Sequence, residues 1–262
     1  MDSTYIALKK EKSFYTWAGA ALILLTTIGT GHMSEFDLLE AIRVMPGIAD
    51  FILTDFLPPA IQAMPQIISP LLDTFYMAIV STISGALVSI FLALLGATPT
   101  MPHPIFKYFI RAFVSLLRNV PELAWTLILV PAFGIGKFVG MLALFLGSVG
   151  TMTRFFTESI EEIDLGGIEA IRSVGGSYWQ TLKNGVIPQC MPRIISWTLY
   201  NMELNIRAST IIGMVGGGGI GLYIQYTIKL FRYDYAFMAI LIVGMLVLGI
   251  ELVSKKIREA IL

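Results

Sequence analysis

The sequence predicts an all-α membrane protein with about six transmembrane helices and one organised helix–turn–helix loop on the cytoplasmic side. Three observations carry this. Of 262 residues, 56% are apolar and 14% charged, against about 25% charged in a soluble domain. Six stretches approach the roughly 20 apolar residues that a crossing helix needs: 14–31, 71–97, 119–134, 136–156, 190–214 and 235–254. The cations are also asymmetric. With both termini inside, Lys9, Lys10, Lys12, Lys107, Arg111, Arg118, Arg154, Arg172, Lys183, Arg193, Lys255, Lys256 and Arg258 face the cytoplasm. Only Arg43, Lys137, Lys229 and Arg232 lie outside, which is the bias that sets membrane orientation. The formal net charge is zero, so no basic excess suits nucleic acid. A single cysteine excludes an internal disulfide framework and a cysteine-rich metal site.

The first stretch follows three lysines and also matches a signal peptide, but Gly29-Thr30-Gly31 is a poor cleavage site. Residues 34–59 lie outside and are acidic. Ser34 reads as a helix N-cap with Asp37 at the third helical position. Leu38, Leu39, Ile42 and Met45 then form an apolar stripe that Pro46-Gly47 interrupts. This segment reads as an amphipathic helix on the outer surface. Residues 104–118 form a second amphipathic piece, with Lys107, Arg111 and Arg118 on one face, suited to a membrane surface. The third stretch is the weakest, holding Pro121 and Pro131. In the fourth, Gly136 and Gly140 have the spacing of close helix packing. His32 and His103 fall in loops on opposite sides, so no shared metal site is expected.

The longest inside segment, 157–188, opens with Glu158, Glu161, Glu162 and Asp164, acids able to pair with a basic partner. Gly166-Gly167 breaks the chain. Ile168, Ile171 and Val174 mark a short helix with an apolar face for docking, ended by Gly175-Gly176. Ser177 and Gln180 form a capping box for a second helix, which Asn184-Gly185 and Pro188 end.

Within this loop, Glu169-Ala170-Ile171, then Gly175, then Ile187-Pro188 resembles the EAA loop of bacterial ABC importer permeases, without gaps. It departs at Ile171, where the family has Ala, at Gly176 for Ala, at Gly185 for Ile or Val, and at Ile187 for Leu. A second stretch holds Leu199-Tyr200, Glu203, Asn205, Arg207, Gly213-Met214-Val215-Gly216 and Gly218-Gly219-Ile220-Gly221. It is similar to phosphonate importer permeases, a branch that also serves phosphite-type substrates. The likeness runs from about residue 71 to the C-terminus. It divides the chain into 1–70, an N-terminal span with an outer segment, and 71–262, a permease transmembrane domain.

The resemblance implies the type I ABC importer permease fold in a bacterial inner membrane, multi-pass, with both termini cytoplasmic. It implies two permease copies sharing a pathway and two ATPase subunits, each receiving one EAA loop. An extracytoplasmic binding protein would deliver the substrate. It implies no cofactor in this chain, with ATP and Mg in the partner, and no catalytic or metal site. The coupling residues are then Glu169, Ala170, Ile171, Gly175, Gly176, Ile187 and Pro188.

In the fifth stretch Asn201, Glu203, Asn205, Arg207, Ser209 and Thr210 are polar where polarity is costly, which makes them candidate pathway residues. Glu203 and Arg207 stand four apart, the spacing of a same-helix ion pair. Arg207 is the candidate anion contact. Gly213, Gly216, Gly218, Gly219 and Gly221 are a candidate hinge or gate. Their spacing also fits a dinucleotide fingerprint, which needs a preceding strand and is rejected after a membrane span. The expected function is phosphonate or related oxyanion import. The alternatives are an ABC permease for an amino acid or osmolyte, or an ion-gradient transporter, against which stands the lack of an internal repeat.

Overall fold

The computed structural model describes residues 3–33 and 37–261, which are helical with no strand among them. They form two compact units, Met1–Thr54 and Asp55–Leu262.

The first unit holds α1, Ser3–Met33, and α2, Leu38–Phe51. Within α1, Tyr15–Thr30 is apolar but shorter than a standard span. Thr26, Thr27 and Thr30 donate their hydroxyls to carbonyls one turn earlier, at 2.7–2.9 Å, so the helix satisfies its own polar groups. The expected Ser34 cap lies outside the described residues. Asp37, just before α2, accepts from Glu40 N at 3.3 Å and caps that helix. Pro46 does not interrupt α2, which runs on to Phe51. A proline lacks one N–H and leaves the other helical bonds of α2 to continue.

The second unit begins its core at Ala63 and Ile67, both fully buried. Its helices are α3 (Met64–Gly96), α4 (Pro104–Asn119), α5 (Glu122–Phe133), α6 (Lys137–Glu161), α7 (Leu165–Ser173), α8 (Tyr178–Thr181), α9 (Ile187–Ile212), α10 (Gly219–Lys229) and α11 (Tyr233–Ile261). Three helices are long and apolar enough to cross a membrane alone: Ile61–Gly96, Lys137–Glu161 and Tyr233–Ile261. Two bent pairs would each add one span. The third expected span is one of these. Its α5 has 12 residues, about 18 Å at 1.5 Å per residue, and meets α4 at 84°. The break falls at Val120-Pro121, where proline disfavours helix in the residue before it.

The centre of the unit is α6 lying along α3, with α9 against both. Small residues on α6 permit this. A side chain at Gly140 would collide with Met77 and the Gly217 carbonyl, and one at Gly150 would reach Arg118 N at 3.0 Å. Backbones approach closely where such residues line an interface. Buried serines give their hydroxyls to the neighbouring helix: Ser81 to Met141 O at 2.8 Å and Ser89 to Val149 O at 3.4 Å. Lys137 and Asp73 pair at 2.8 Å near one end of α6. Apolar packing gathers in two main clusters. Phe156, Met152, Ile160, Leu182 and Val186 fill one. Ile67, Ile220, Ile224 and Ala239 fill the other.

Candidate coupling loop and polar seam

The 157–188 segment is tied to the rest of the chain at nearly every acid. Arg154 pairs with Glu158 at 2.7 Å, and Arg193 with Glu162 at 2.7 Å. Glu161 accepts from Thr98 N at 3.1 Å, Thr98 Oγ1 at 2.7 Å and Arg111 Nη2 at 3.0 Å. Asp164 caps α7, accepting from Gly166 N at 3.1 Å. These four acids each bond within the chain, and Glu158 and Glu162 stay 47% and 67% exposed in their pairs. The cap also draws Gly166 and Gly167 into the first turn of α7, where a break was expected.

The apolar face of α7 turns inward. Ile168 is 2% exposed and packs with Leu182 and Val186, while Val174 is 85% exposed. The outward face is Glu169, Ala170 and Val174, with Trp179 beside it at 76% exposed. The docking stripe read from the sequence is thus split. Two of its members serve the chain's own core, because α7 needs an anchor on α8 and α9.

Three of the departures from the EAA pattern meet at one place. A side chain at Gly176 would come within 2.5 Å of Ile171 Cγ2, and one at Gly185 within 3.2 Å of Ile171 Cδ1. The large Ile171 occupies the room that glycine leaves at both positions. Gly175, at φ 79°, makes the turn between α7 and α8. Ser177 and Gln180 cap each other, with Gln180 Oε1 accepting from Ser177 N at 2.7 Å. Tyr178 Oη donates to Thr100 O at 2.7 Å, and burial pushes its phenol up from the ordinary value. Asn184-Gly185 and Pro188 do not end the second helix. The residues Leu182–Val186 form a π-helical turn that carries α8 into α9, and Pro188, which has no N–H to give, falls just after that widened turn. Ile187 is half-buried beside it.

On α9 the polar residues divide between two faces. Asn201, Asn205 and Ser209 are buried toward α3 and α6. Asn205 Nδ2 lies 2.8 Å from Thr82 Oγ1, 2.8 Å from Ser148 Oγ and 3.3 Å from Asn201 Oδ1, and its two N–H groups serve these acceptors and join three helices. Glu203 and Arg207 face α11. They do not pair with each other. Arg258 Nη2 approaches Glu203 Oε1 at 3.0 Å, and Arg207 Nη2 donates to Glu251 Oε2 at 3.1 Å. Charges across the α9–α11 contact outcompete the same-helix partner: Arg207 reaches from α9 to Glu251, and Arg258 reaches from α11 to Glu203. Glu203 is 7% exposed, whereas Arg207 and Glu251 are about half exposed, at 48% and 51%. Thr210 is half-buried one turn from Arg207.

Glu251 was missed in the sequence, although it is the one acid in stretch 235–254 and a lone intramembrane acid calls for a cation. Helix α10 was missed too. Its signal was Ile220, Ile224 and Thr227 at helical spacing.

The glycine run forms a sharp bend. Residues Gly213–Gly217 make a π-helical turn with Val215 and Gly216 non-helical, and α10 leaves at 57°. Gly218 and Gly219 have φ 82° and 65°, a region L side chains avoid. A side chain at Gly218 would also meet Lys137 N at 2.8 Å, and one at Gly219 Thr74 Oγ1 at 2.5 Å. Gly136 N donates to Gly216 O at 2.9 Å, and Ile220 N to Thr74 Oγ1 at 2.8 Å. Gly213 and Gly221 pack against each other inside the bend.

Comparison with known proteins agrees with this architecture. Residues 89–259 match the family described as binding-protein-dependent transport system inner membrane component. The chain is 34% identical over 228 residues to the phosphite transport system permease protein PtxC of Stutzerimonas stutzeri, covering 87% of this chain and 82% of that one. It is 36% identical over 217 residues to the phosphate-import permease protein PhnE of Mycolicibacterium smegmatis, covering 82% of this chain but only 40% of the relative. An inward-facing structure of the MetNI methionine ABC transporter superposes with a TM-score of 0.68 at 21% identity, over 78% of this chain and 99% of that one. The likeness to that solved structure concerns the fold. The family match and the relative matched over most of both lengths lead to one conclusion: the chain belongs to the binding-protein-dependent transport system inner membrane component family, and is a transport subunit, not an enzyme.

Proposed function

We propose that the chain is the permease subunit of an ATP-driven importer for phosphonate or a related phosphorus oxyanion. The observation that carries this is the 34% identity, over 87% of the chain, to a permease named for phosphite transport. Two copies form the pathway, an extracytoplasmic binding protein delivers the solute, and two ATPase subunits with ATP and Mg sit at the cytoplasmic face. Both termini lie in the cytoplasm of a bacterial inner membrane. Glu169, Ala170 and Val174, with Trp179, form the surface the ATPase receives, since these are the exposed members of the loop. Ile171, Gly175, Gly176, Ile187 and Pro188 hold that surface in place.

Among the polar residues of α9, Arg207 is the anion contact, with Thr210 as a neighbouring donor. Arg207 is half exposed, and a passing oxyanion displaces Glu251 from it. Asn201, Glu203, Asn205 and Ser209 are buried in helix packing and frame it. Gly213, Gly216, Gly218, Gly219 and Gly221 form the bend that serves as hinge or gate of the pathway.

The test is reconstitution with candidate ATPase and binding-protein partners, reading ATP hydrolysis with phosphonate, phosphite, phosphate and methionine. Stimulation by a phosphorus oxyanion is expected. Stimulation by none of them overturns the substrate assignment. Arg207→Gln lowers uptake in a complex that still assembles. Normal uptake would remove Arg207 from the pathway.

A further inference from the structure

We infer that the cleft between α4 and the end of α6 is a binding site for a tetrahedral oxyanion, a phosphate group free or carried on a lipid. The cleft has a volume of about 430 Å³ and is lined by Arg111, Arg118 and Arg154 with the hydroxyls of Ser115, Thr153 and Thr157. Guanidinium groups with hydroxyl donors are the set that holds phosphate oxygens, since arginine offers a planar fork of donors.

Two of the three cations are already balanced. Arg154 pairs with Glu158 and Arg111 with Glu161. Arg118 has no ion-pair partner among the described residues, so the cleft keeps one positive charge in excess. An independent observation concerns Thr153. It is 1% exposed and lines the cleft, and its Oγ1 has no hydrogen-bond partner. A buried hydroxyl left unsatisfied is costly, so an occupant whose arrival exposed Thr153 Oγ1 to the cleft would relieve it. Ser115 Oγ accepts from Asn119 Nδ2 at 3.2 Å, which leaves its own proton to give. Thr157 Oγ1 already donates to Thr153 O at 2.7 Å and lends the wall polarity alone.

The site is built by packing. Leu117 and the backbone of Arg118 rest on Gly150, with a 3.0 Å approach to where a side chain would be, so α4 lies against α6. On the proposed orientation the cleft opens at the cytoplasmic ends of these helices. There it can meet either cytosolic phosphate or the headgroups of the inner leaflet. Its far wall, Glu161, also holds Thr98 and Arg111, so an occupant competes for groups that anchor the start of the coupling segment.

The experiment uses the full chain in phosphatidylcholine nanodiscs, and reads binding, not transport, so its failure leaves the import assignment untouched. One arm titrates inorganic phosphate against chloride at matched ionic strength, following the phosphorus NMR line and the melting temperature. The other adds phosphatidylglycerol to the nanodiscs. Saturable stabilisation in the first arm assigns a free oxyanion, and in the second alone a lipid headgroup. Arg118→Gln should weaken either by at least about tenfold, the loss expected for one charge-assisted hydrogen bond. Thr153→Val should weaken it by a smaller factor. If Arg118→Gln lowers the unliganded melting temperature, Arg118→Lys keeps the charge without the fork and must still weaken binding. Absence of saturable binding in both arms, or binding unchanged in these variants, overturns the assignment.

Discussion

At the residue scale, Ile171, Gly176 and Gly185 form one volume-matched set. Gly185→Val forces a branched side chain against Ile171 and Ile168, which already lie at 3.2 and 3.4 Å from the first added atom. Overpacking of this kind costs about 1–3 kcal/mol. Combining it with Ile171→Ala should restore most of the lost melting temperature in the purified chain. Additive losses would show that the positions do not share that space. The sequence showed each departure singly but not that they touch, because their contact depends on the π-helical turn that swings Gly185 under α7. The same limit applies to the ion pairs. A spacing of four sees only the same helix, so Glu203 and Arg207 looked like partners while Arg258 and Glu251 stood 55 and 44 residues away. Their costs should differ as well. Arg258→Met leaves a buried carboxylate alone and costs about 3–5 kcal/mol. Arg207→Met breaks a half-exposed pair worth no more than about 1 kcal/mol. Thermal unfolding of the two variants in detergent checks the order, and equal losses would contradict the burial difference.

At the element scale, α9 and α11 carry the same order of charges, acid and then base on α9 and again on α11. Antiparallel alignment sets each acid against the opposite base, Glu203 with Arg258 and Arg207 with Glu251. A slip of one helix turn would bring like charges closer, so the two pairs fix the register. Exchanging one pair, Arg207→Glu with Glu251→Arg, should preserve assembly better than Arg207→Glu alone, as read by monodisperse yield on size exclusion. Equal yields would show that register is set by apolar packing only. The glycine bend makes a different demand. Gly218→Ala combines a positive φ with a 2.8 Å approach to Lys137 N. It should therefore reduce folded yield before any effect on transport can be read. A well-folded Gly218→Ala chain would refute the close packing of this turn. Element positions were largely legible, since α3, α6 and α11 begin and end near the apolar stretches. The exceptions are α10 and the fused α8–α9, where glycine and proline read as stops. In the structure the α8–α9 junction is a widened turn that keeps the helix going, whereas the glycines before α10 do break the helix and a new one starts at Gly219.

At the scale of the whole molecule, the asymmetry of cations gives an orientation that labelling can check. Cys190 is the one cysteine and is buried, so Cys190→Ala supplies a background without thiols. A cysteine placed at exposed Val174 should react with an impermeant maleimide only in inside-out vesicles, and one at exposed Phe231 only in right-side-out cells. Both reacting from one side would refute the topology. The fused α8–α9 has a mechanical consequence. From Tyr178 to Ile212 the helix runs without a gap, about 50 Å at 1.5 Å per residue. It begins beside Trp179 and ends at the glycine bend. Asn205 ties this rod to two other helices 27 residues from its start and 7 from its end, so it acts as a lever with unequal arms. On the proposed coupling role, a push of a few ångströms at the Trp179 end arrives at the far end opposite in direction and about a quarter as large, with the fulcrum at the junction of three helices.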